Sequence, residues 1–465
     1  MNPSSNNSLE QQHLIADIGA RLKKFFERRG YGLISTPMLE RTDLYLKKSG
    51  GELASRMYSF TDPSGVEVSI RPEFTSSVVK NYVDGTLKGP LPQRWTYSGS
   101  VFRYEPGSSG EFQQIGAELL GAGSSEADAE IVAMASQSLT TLGVRGHKIR
   151  IGHMGVLAAL LESLGLSKRA CVFLIRNIGQ IKSGDVGLKL LREQAARLGL
   201  LSSGNNSELA RIAREMPPED AMQMVKGFVG DGMNGALGQR TPEEIITRYL
   251  EKLREEGQAQ VFDRAIELCT QLVSINGAYS NARKKLTRLA SKYGINESIF
   301  DPIDSFFTSI SHYDINSNSL LLDLSSARGI AYYTGVIFDI DSSRIKNGRS
   351  IGGGGRYDGL VEALGGKKPL PAMGFALNLD LVAKLLPKNF DYGYEETPAK
   401  ILVTAQETAF SEAVSTAERL RAQGFYVELD FNNKDDKRAA KYAQQRDIQT
   451  VMRVGQDGRV SEQFV

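Results

Sequence analysis

The stretch SVFRYEPGSSGEFQQIGAELLG, residues 100–121, reads as a strand, a short loop and a second strand. The first strand, expected over 94–104, ends in Arg103. In the second, expected over 112–121, every second side chain shares a face, so Gln114, Gly116 and Glu118 line one surface. Gly116 leaves a slot between an amide and a carboxylate. Such a slot suits an α-amino group, with Glu118 supplying charge and Gln114 orientation. A solvated sheet face is the plainer alternative. The loop EPGSSGE carries no Arg or Lys, which raises the question of whether this sheet can still grip a phosphate.

Working outward, RPEFT (71–75) is a strand end followed by a helix start. Pro72 suits the turn, Thr75 suits a helix cap, and Glu73 is a second carboxylate for the same pocket. Glu at a helix N-terminus is also favoured by the helix dipole alone. ARGIAYYTGVIF (327–338), if extended, sends Tyr332 and Tyr333 to opposite faces, one into a pocket and one into packing. Arg328 precedes them, and a buried arginine needs an anionic partner. An aromatic-rich core strand with an exposed arginine is the alternative there. GGGGRYDGL (352–360) is expected as a glycine-rich turn that lets backbone approach a ligand closely. It is neither a Walker motif, since no Gly-Lys-Ser/Thr follows, nor the dinucleotide fingerprint.

The remaining pattern sets the organisation. Ile18, Leu22 and Phe25 or Phe26 recur at helical spacing after Leu14 and predict a helix over 9–30, stopped by Gly30. RRGYGLISTPMLE turns into a strand ending at Pro37. MYSFTDPSGVEVSIRP (57–72) reads as a hairpin around DPSG, and 74–84 as a short helix. From about 165 to 310 the pattern is helical and charged, with loops at SSGNNS and MNGALGQRTPEE and helices at EEIITRYLEKLREEG and QVFDRAIELCTQLVSING. Strands return at SLLLDL and YYTGVIFDID, and helices are expected at 358–364 and 376–386. Beyond a linker at 386–398, alternating strands and helices imply a small parallel sheet.

A chain of 465 residues implies two or three domains. A net charge of +2 neither demands nor excludes a nucleic-acid partner, because binding needs only a local patch. Two cysteines, Cys171 and Cys269, with no CxxC, argue against a disulfide scaffold and a structural zinc, so no metal is expected and the cytoplasm is the default. The polar start MNPSSNNSLEQQ does not read as a signal peptide, and no apolar run approaches membrane-spanning length.

Taken in order, TPMLE, MYSFTD, RPEFT, VFRYE, QQIGAELLG, ARGIAYYTG, GGGGRYDGLVEALGG and PAMGFAL resemble the signatures of the class II histidyl-tRNA synthetase family over roughly residues 10–385. The resemblance implies an α+β fold: an antiparallel sheet flanked by helices, normally dimeric. It divides the chain into a synthetase-like core at 1–165 and 311–386, a helical insertion at 166–310, a linker at 387–398 and, at 399–465, an α/β domain that resembles the family's anticodon-binding domain but ends early. It further implies that Glu73, Thr75, Gln114 and Glu118 hold a histidine-type ligand, with Tyr332, Tyr333 and Tyr357 around it. By the same resemblance Arg103 touches phosphate and carboxylate, Glu105 follows it in the pattern, and Arg328 assists adenylate formation.

The departures from the family are concentrated where ATP would sit. The loop after Arg103 normally reads Glu-Arg-Pro-Gln with further arginines; here it is shorter and lacks them. Leu381 stands in the place of the third-motif arginine, Asn378 in that of a glycine, and Ala331 in that of an aspartate before the tyrosines. The family's Gly-Thr-x-Asp start is absent from the N-terminus. Losing one charged partner in a closed site costs about 2–5 kcal/mol. Two such losses slow a reaction by roughly 10³-fold or more, at about 1.4 kcal/mol per decade. The expectation is a protein that recognises histidine without activating it. The ATP phosphoribosyltransferase regulatory subunit of histidine biosynthesis, a non-aminoacylating branch of the family, fits, with ADAEIVAMASQSLTTLGV and IGHMGVLAALLESLGL resembling that branch. It implies a homodimer, a catalytic phosphoribosyltransferase partner and no cofactor. The terminal α/β domain fits that branch less well. The alternatives are a divergent histidine–tRNA ligase using ATP, magnesium and tRNA, in which Arg103 and Arg328 would be catalytic, and a stand-alone paralogue that binds RNA or another enzyme.

Overall fold

The computed structural model describes residues 9–47, 51–107, 109–201, 220, 259–326, 332–345, 349–387, 390, 399–405, 409–431, 435–455, 457 and 459–464. The chain forms two compact units. One comprises Met1–Val156, Asn276–Arg283 and Phe300–Val465, the other Leu157–Ile275 and Lys284–Ile299. The described residues of the second unit are helical in the segments Lys168–Arg176, Ile178–Lys182, Asp185–Arg197 and Ala259–Val273. The stretches SSGNNS, MNGALGQRTPEE and EEIITRYLEKLREEG lie outside the described residues, as does nearly all of the linker.

The strands are β1 (Gly32–Leu33), β2 (Leu39–Arg41), β3 (Ser59–Thr61), β4 (Glu67–Ile70), β5 (Gln93–Phe102), β6 (Glu111–Leu120), β7 (Lys148–His153), β8 (Asn276–Ala278), β9 (Leu320–Asp323), β10 (Val336–Asp341), β11 (Gly352–Arg356) and β12 (Ala372–Asn378), then β13 (Lys400–Ala405), β14 (Tyr426–Leu429), β15 (Thr450–Val454) and β16 (Val460–Phe464). Nine of them make one sheet in the order β1-β5-β6-β12-β11-β10-β7-β9-β8. From β5 to β7 every pairing is antiparallel; β1 with β5 and β7 with β9 are parallel. Such a sheet flanked by helices is the expected synthetase-like architecture.

Alternation along β6 fixes its two faces. Ile115, Ala117 and Leu119 are fully buried on the back, and Gln114, Gly116 and Glu118 face the front. The helix Leu9–Glu27 lies behind, with Phe26 edge-on to Phe375 of β12 at 5.6 Å. Its buried stripe is Ile15, Ile18, Leu22, Phe25 and Phe26, the spacing read from the sequence with Ile15 in place of Leu14. A fully buried side chain of this size contributes about 1.5–3 kcal/mol. The helix Ser125–Thr141 also lies behind, and its Asp128 holds Arg356 through Nη2 at 2.6 Å.

Three expectations are corrected. The glycine run 352–355 is not a turn but the central strand β11, because neighbouring backbone leaves no room for side chains: a Cβ on Gly354 would lie 1.9 Å from the Gly374 carbonyl oxygen. Its close approaches are to the backbone of β12 and β10. The second expected helix begins only at Leu379, since Ala372–Asn378 is β12. The strand expected to reach Pro37 is the two-residue β1.

The hairpin around DPSG forms as read. The Asp62 carboxylate accepts from the Ser64 and Val66 amides at 2.9 Å each, closing the turn between β3 and β4. The terminal α/β segment has the expected parallel β14-β13-β15 core, plus an antiparallel edge strand, β16, that the sequence pattern did not reveal.

Candidate functional site

The front of the large sheet gathers Glu73, Thr75, Tyr97, Gln114, Glu118, Tyr332, Tyr333 and Tyr357. Glu118 is the centre. It is 1% exposed and its carboxylate takes three hydroxyl donors: Thr75 Oγ1 at 2.7 Å, Tyr97 at 3.1 Å, and Tyr357 on the other oxygen. Burial pushes its carboxyl up to about 7, against the pull of the three hydroxyls, and the nearby Glu73 charge adds to the rise. The group therefore titrates near neutrality. Floor space comes from Gly374, opposite Glu118 in β12, where a Cβ would lie 1.6 Å from Glu118 Oε2.

Thr75 was expected to cap the helix Thr75–Val83. Its hydroxyl instead donates to Glu118, and Glu73 does the capping: both of its carboxylate oxygens accept from the Ser76 amide at 3.1 Å. Glu73 is itself buried, which raises its carboxyl pKa, while the Ser76 contacts and Arg103 oppose the rise. Helix capping and a pocket carboxylate are thus one residue's work.

The slot expected over Gly116 is taken by Tyr97. Tyr97 lies directly across β5 from Gly116, and its hydroxyl oxygen would stand 2.5 Å from a Cβ there. Tyr97 stacks on Phe74 at 4.4 Å, which fixes the ring. Sequence reasoning missed this residue. The signal was present: in RWTYSGSVF, Tyr97 shares the parity of Arg103. Gln114 is 7% exposed and its Oε1 is buried without a hydrogen-bond partner, so the face of β6 that carries Glu118 keeps a free acceptor further along the strand.

Tyr332 and Tyr333 do not diverge. Position 332 lies in a turn, not a strand, and both rings join one cluster with Val79, Leu120, Tyr357, Leu360, Val361 and Ala372. Tyr332 is edge-on to Tyr333 at 5.0 Å and to Tyr357 at 5.8 Å. They form the aromatic wall next to Glu118. Arg328 and Ala331 lie outside the described residues.

At the outer end, Arg103 is placed by its Nε donating to the Pro72 carbonyl at 2.8 Å, with the guanidinium 5.4 Å from the centre of the Phe112 ring. The Arg103 amide donates to the Gly110 carbonyl at 2.8 Å and closes the short loop. Leu381 is 8% exposed on the helix Leu379–Ala383, whose N-cap is Asn378; its side chain accepts from the Leu381 amide at 3.1 Å. The position therefore packs an apolar side chain and supplies no cation. Glu105 pairs with Arg349, an arginine outside every motif discussed above. Among the described residues, neither the loop after Arg103 nor position 381 contributes a positive charge at this end. Among the described residues, no cluster of three or more His, Cys, Asp or Glu side chains is arranged to hold a metal ion, and no helix is long and apolar enough to cross a membrane.

Comparison with known proteins points to one family. A family model described as Histidyl-tRNA synthetase matches residues 7–227 and 232–382. The histidine–tRNA ligase of Pyrococcus horikoshii is 29% identical over 440 residues, covering 94% of this chain and 86% of that protein. That of Pyrococcus furiosus is 30% identical over 441 residues with the same coverages. Among solved structures, an ATP phosphoribosyltransferase regulatory subunit/histidyl-tRNA synthetase from Bacillus halodurans superposes with a TM-score of 0.57 at 20% identity, covering 98% of each chain. The histidyl-tRNA synthetase of Nostoc sp. PCC 7120 gives 0.53 at 17% identity, covering 100% of this chain and 97% of that one. At these identities the structural likeness is one of fold.

Proposed function

Because the chain belongs to the histidyl-tRNA synthetase family, we propose that it binds histidine without activating it and serves as the regulatory subunit of an ATP phosphoribosyltransferase. One contrast carries this. The amino-acid end of the site is fully built around Glu118, while Leu381 is packed into the core where the family places an arginine, and the loop Arg103–Gly110 has no basic side chain beyond Arg103 itself. Glu118 supplies the charge for a cationic group or an N–H donor of the ligand, Gln114 an acceptor, and the Tyr332, Tyr333 and Tyr357 wall the surface for a flat ring.

In this role the chain acts as a cytoplasmic homodimer that assembles with a separate catalytic subunit. Histidine then controls activity only through different affinities in the two states of that assembly. The test is to mix the purified chain with a short-form ATP phosphoribosyltransferase catalytic subunit. Co-elution, with activity that responds to histidine, is expected; charging of tRNA with histidine by the chain alone would contradict it.

A second reading is a divergent histidine–tRNA ligase that uses ATP and magnesium. It is favoured by the archaeal relatives, which are alike over 94% of this chain, and by Arg103, which remains beside Glu73. Histidine-dependent charging of tRNA separates it from the first.

A further inference from the structure

The outer end of the pocket has a cation of its own that no motif supplies. Three segments meet there. The loop Arg103–Gly110 is one. The start of the helix Leu379–Ala383 is the second, tied to β6 by the Asp380 carboxylate, which accepts from the Gln113 amide at 2.7 Å. The third is the stretch entering β11, fixed where the Asn378 amide donates to the Ile351 carbonyl at 2.8 Å. Arg349 sits two residues before Ile351 and reaches Glu105, which lies two residues beyond Arg103.

The loop side of this contact is braced. The Tyr104 amide donates to the Arg56 carbonyl at 2.7 Å, and Arg56 Nε donates to the Tyr104 carbonyl at 3.2 Å. The Arg349 side is not confined in the same way: its side chain is 49% exposed, and that of Glu105 35%. An ion pair this open is weak and exchangeable. A phosphate carries more charge than a carboxylate and accepts the fork of a guanidinium better, so it competes well for the same arginine.

We propose that Arg349 is the phosphate-contacting residue of this chain, held by Glu105 until a phosphate-bearing ligand takes its place beside Arg103. This rests on the histidine-pocket reading for the location of the inner end, and it fits a site that binds nucleotide phosphate without transferring it. One half-exposed arginine can hold an anion, but it lacks the closed, preorganised setting that stabilises a developing charge.

The test titrates pyrophosphate, and separately magnesium-ATP, into the full chain, with and without saturating histidine. Arg349→Ala should weaken pyrophosphate binding at least fivefold, Arg349→Lys less, and Glu105→Gln should tighten it. Histidine affinity should stay within twofold of wild type in all three variants. Pyrophosphate affinity indifferent to Arg349→Ala, or weakened by Glu105→Gln, overturns the proposal. A response to pyrophosphate but not to ATP assigns the contact to the phosphate group and excludes a fitted nucleotide. A chain that takes pyrophosphate through Arg349 yet ignores histidine upholds Arg349 and sinks the histidine reading; histidine bound with no role for Arg349 does the reverse.

Discussion

Glu118 sets the pH behaviour of the pocket. Its carboxyl is raised from 4.5 to about 7 by burial. A raised folded value means that the group's contribution to stability is fully present below about pH 4.5 and is lost as pH rises through about 7. On the proposed histidine reading, ligand binding runs the other way, because a histidine donor would need the carboxylate. Histidine affinity should therefore rise by about tenfold per pH unit up to about 7 and then level off. Glu118→Gln should flatten that slope and weaken binding by roughly 100-fold, the lower part of the range for breaking a buried charged contact. Calorimetric titration between pH 6 and 8 checks both; the variant sees the same titration of free histidine, so the difference isolates the carboxylate. Glu118 and Gln114 were legible in the sequence because a strand repeats every two residues. Tyr97 was not, since its role depends on lying across from Gly116 in a partner strand. The hydroxyl of Thr75 was assigned to a cap because local sequence shows the helix start and hides the carboxylate 43 positions away.

At the scale of elements, β11 was the hardest to read. Four glycines carry no alternation of apolar and polar side chains, so the period of a strand is invisible in them. The reason for glycine is steric and lies in the neighbours: β10 and β12 approach too closely for a Cβ. Gly354→Ala should destabilise the unit by about 3 kcal/mol, the upper end for overpacking, visible as a lower urea midpoint. Gly374→Ala acts differently. Its Cβ meets the Glu118 carboxylate as well as the Ala117 carbonyl, so histidine binding should fall by more than tenfold alongside a lower urea midpoint. The turn at Tyr332 was also unreadable, because YYTGVIF has strand composition throughout. The helix Leu9–Glu27 and the β5–β6 pair, in contrast, have clear periods and were read within a few residues.

At the scale of the whole molecule, the order of elements in the terminal α/β segment was legible, but its attachment was not. Arg94, on β5, is 1% exposed and donates to Glu428 at 3.0 Å, the Tyr442 hydroxyl at 2.8 Å and the Leu429 carbonyl at 2.6 Å. Arg446 bridges Glu428 and the Gly30 carbonyl, and Gly30, at a φ of 82°, leaves room for the Glu428 side chain. Arg421 reaches Glu130 on the helix Ser125–Thr141 at 3.1 Å. Partners 291 or more positions apart leave no local signal. Breaking such a buried pair typically costs about 3–5 kcal/mol, so Arg94→Met or Glu428→Gln alone should lower stability by that much, and the double variant by less than the sum. Urea unfolding of the four proteins measures the coupling. The terminal segment is thus tied to the sheet unit through Arg94 of β5, the turn at Gly30 and Glu130 of the helix Ser125–Thr141. The most direct measurement of the whole account is histidine-dependent exchange of pyrophosphate into ATP with magnesium present. With no arginine at position 381 and no basic residue in the loop after Arg103, exchange should stay at background; rapid exchange by the purified chain would show that histidine is activated here and would contradict the regulatory assignment.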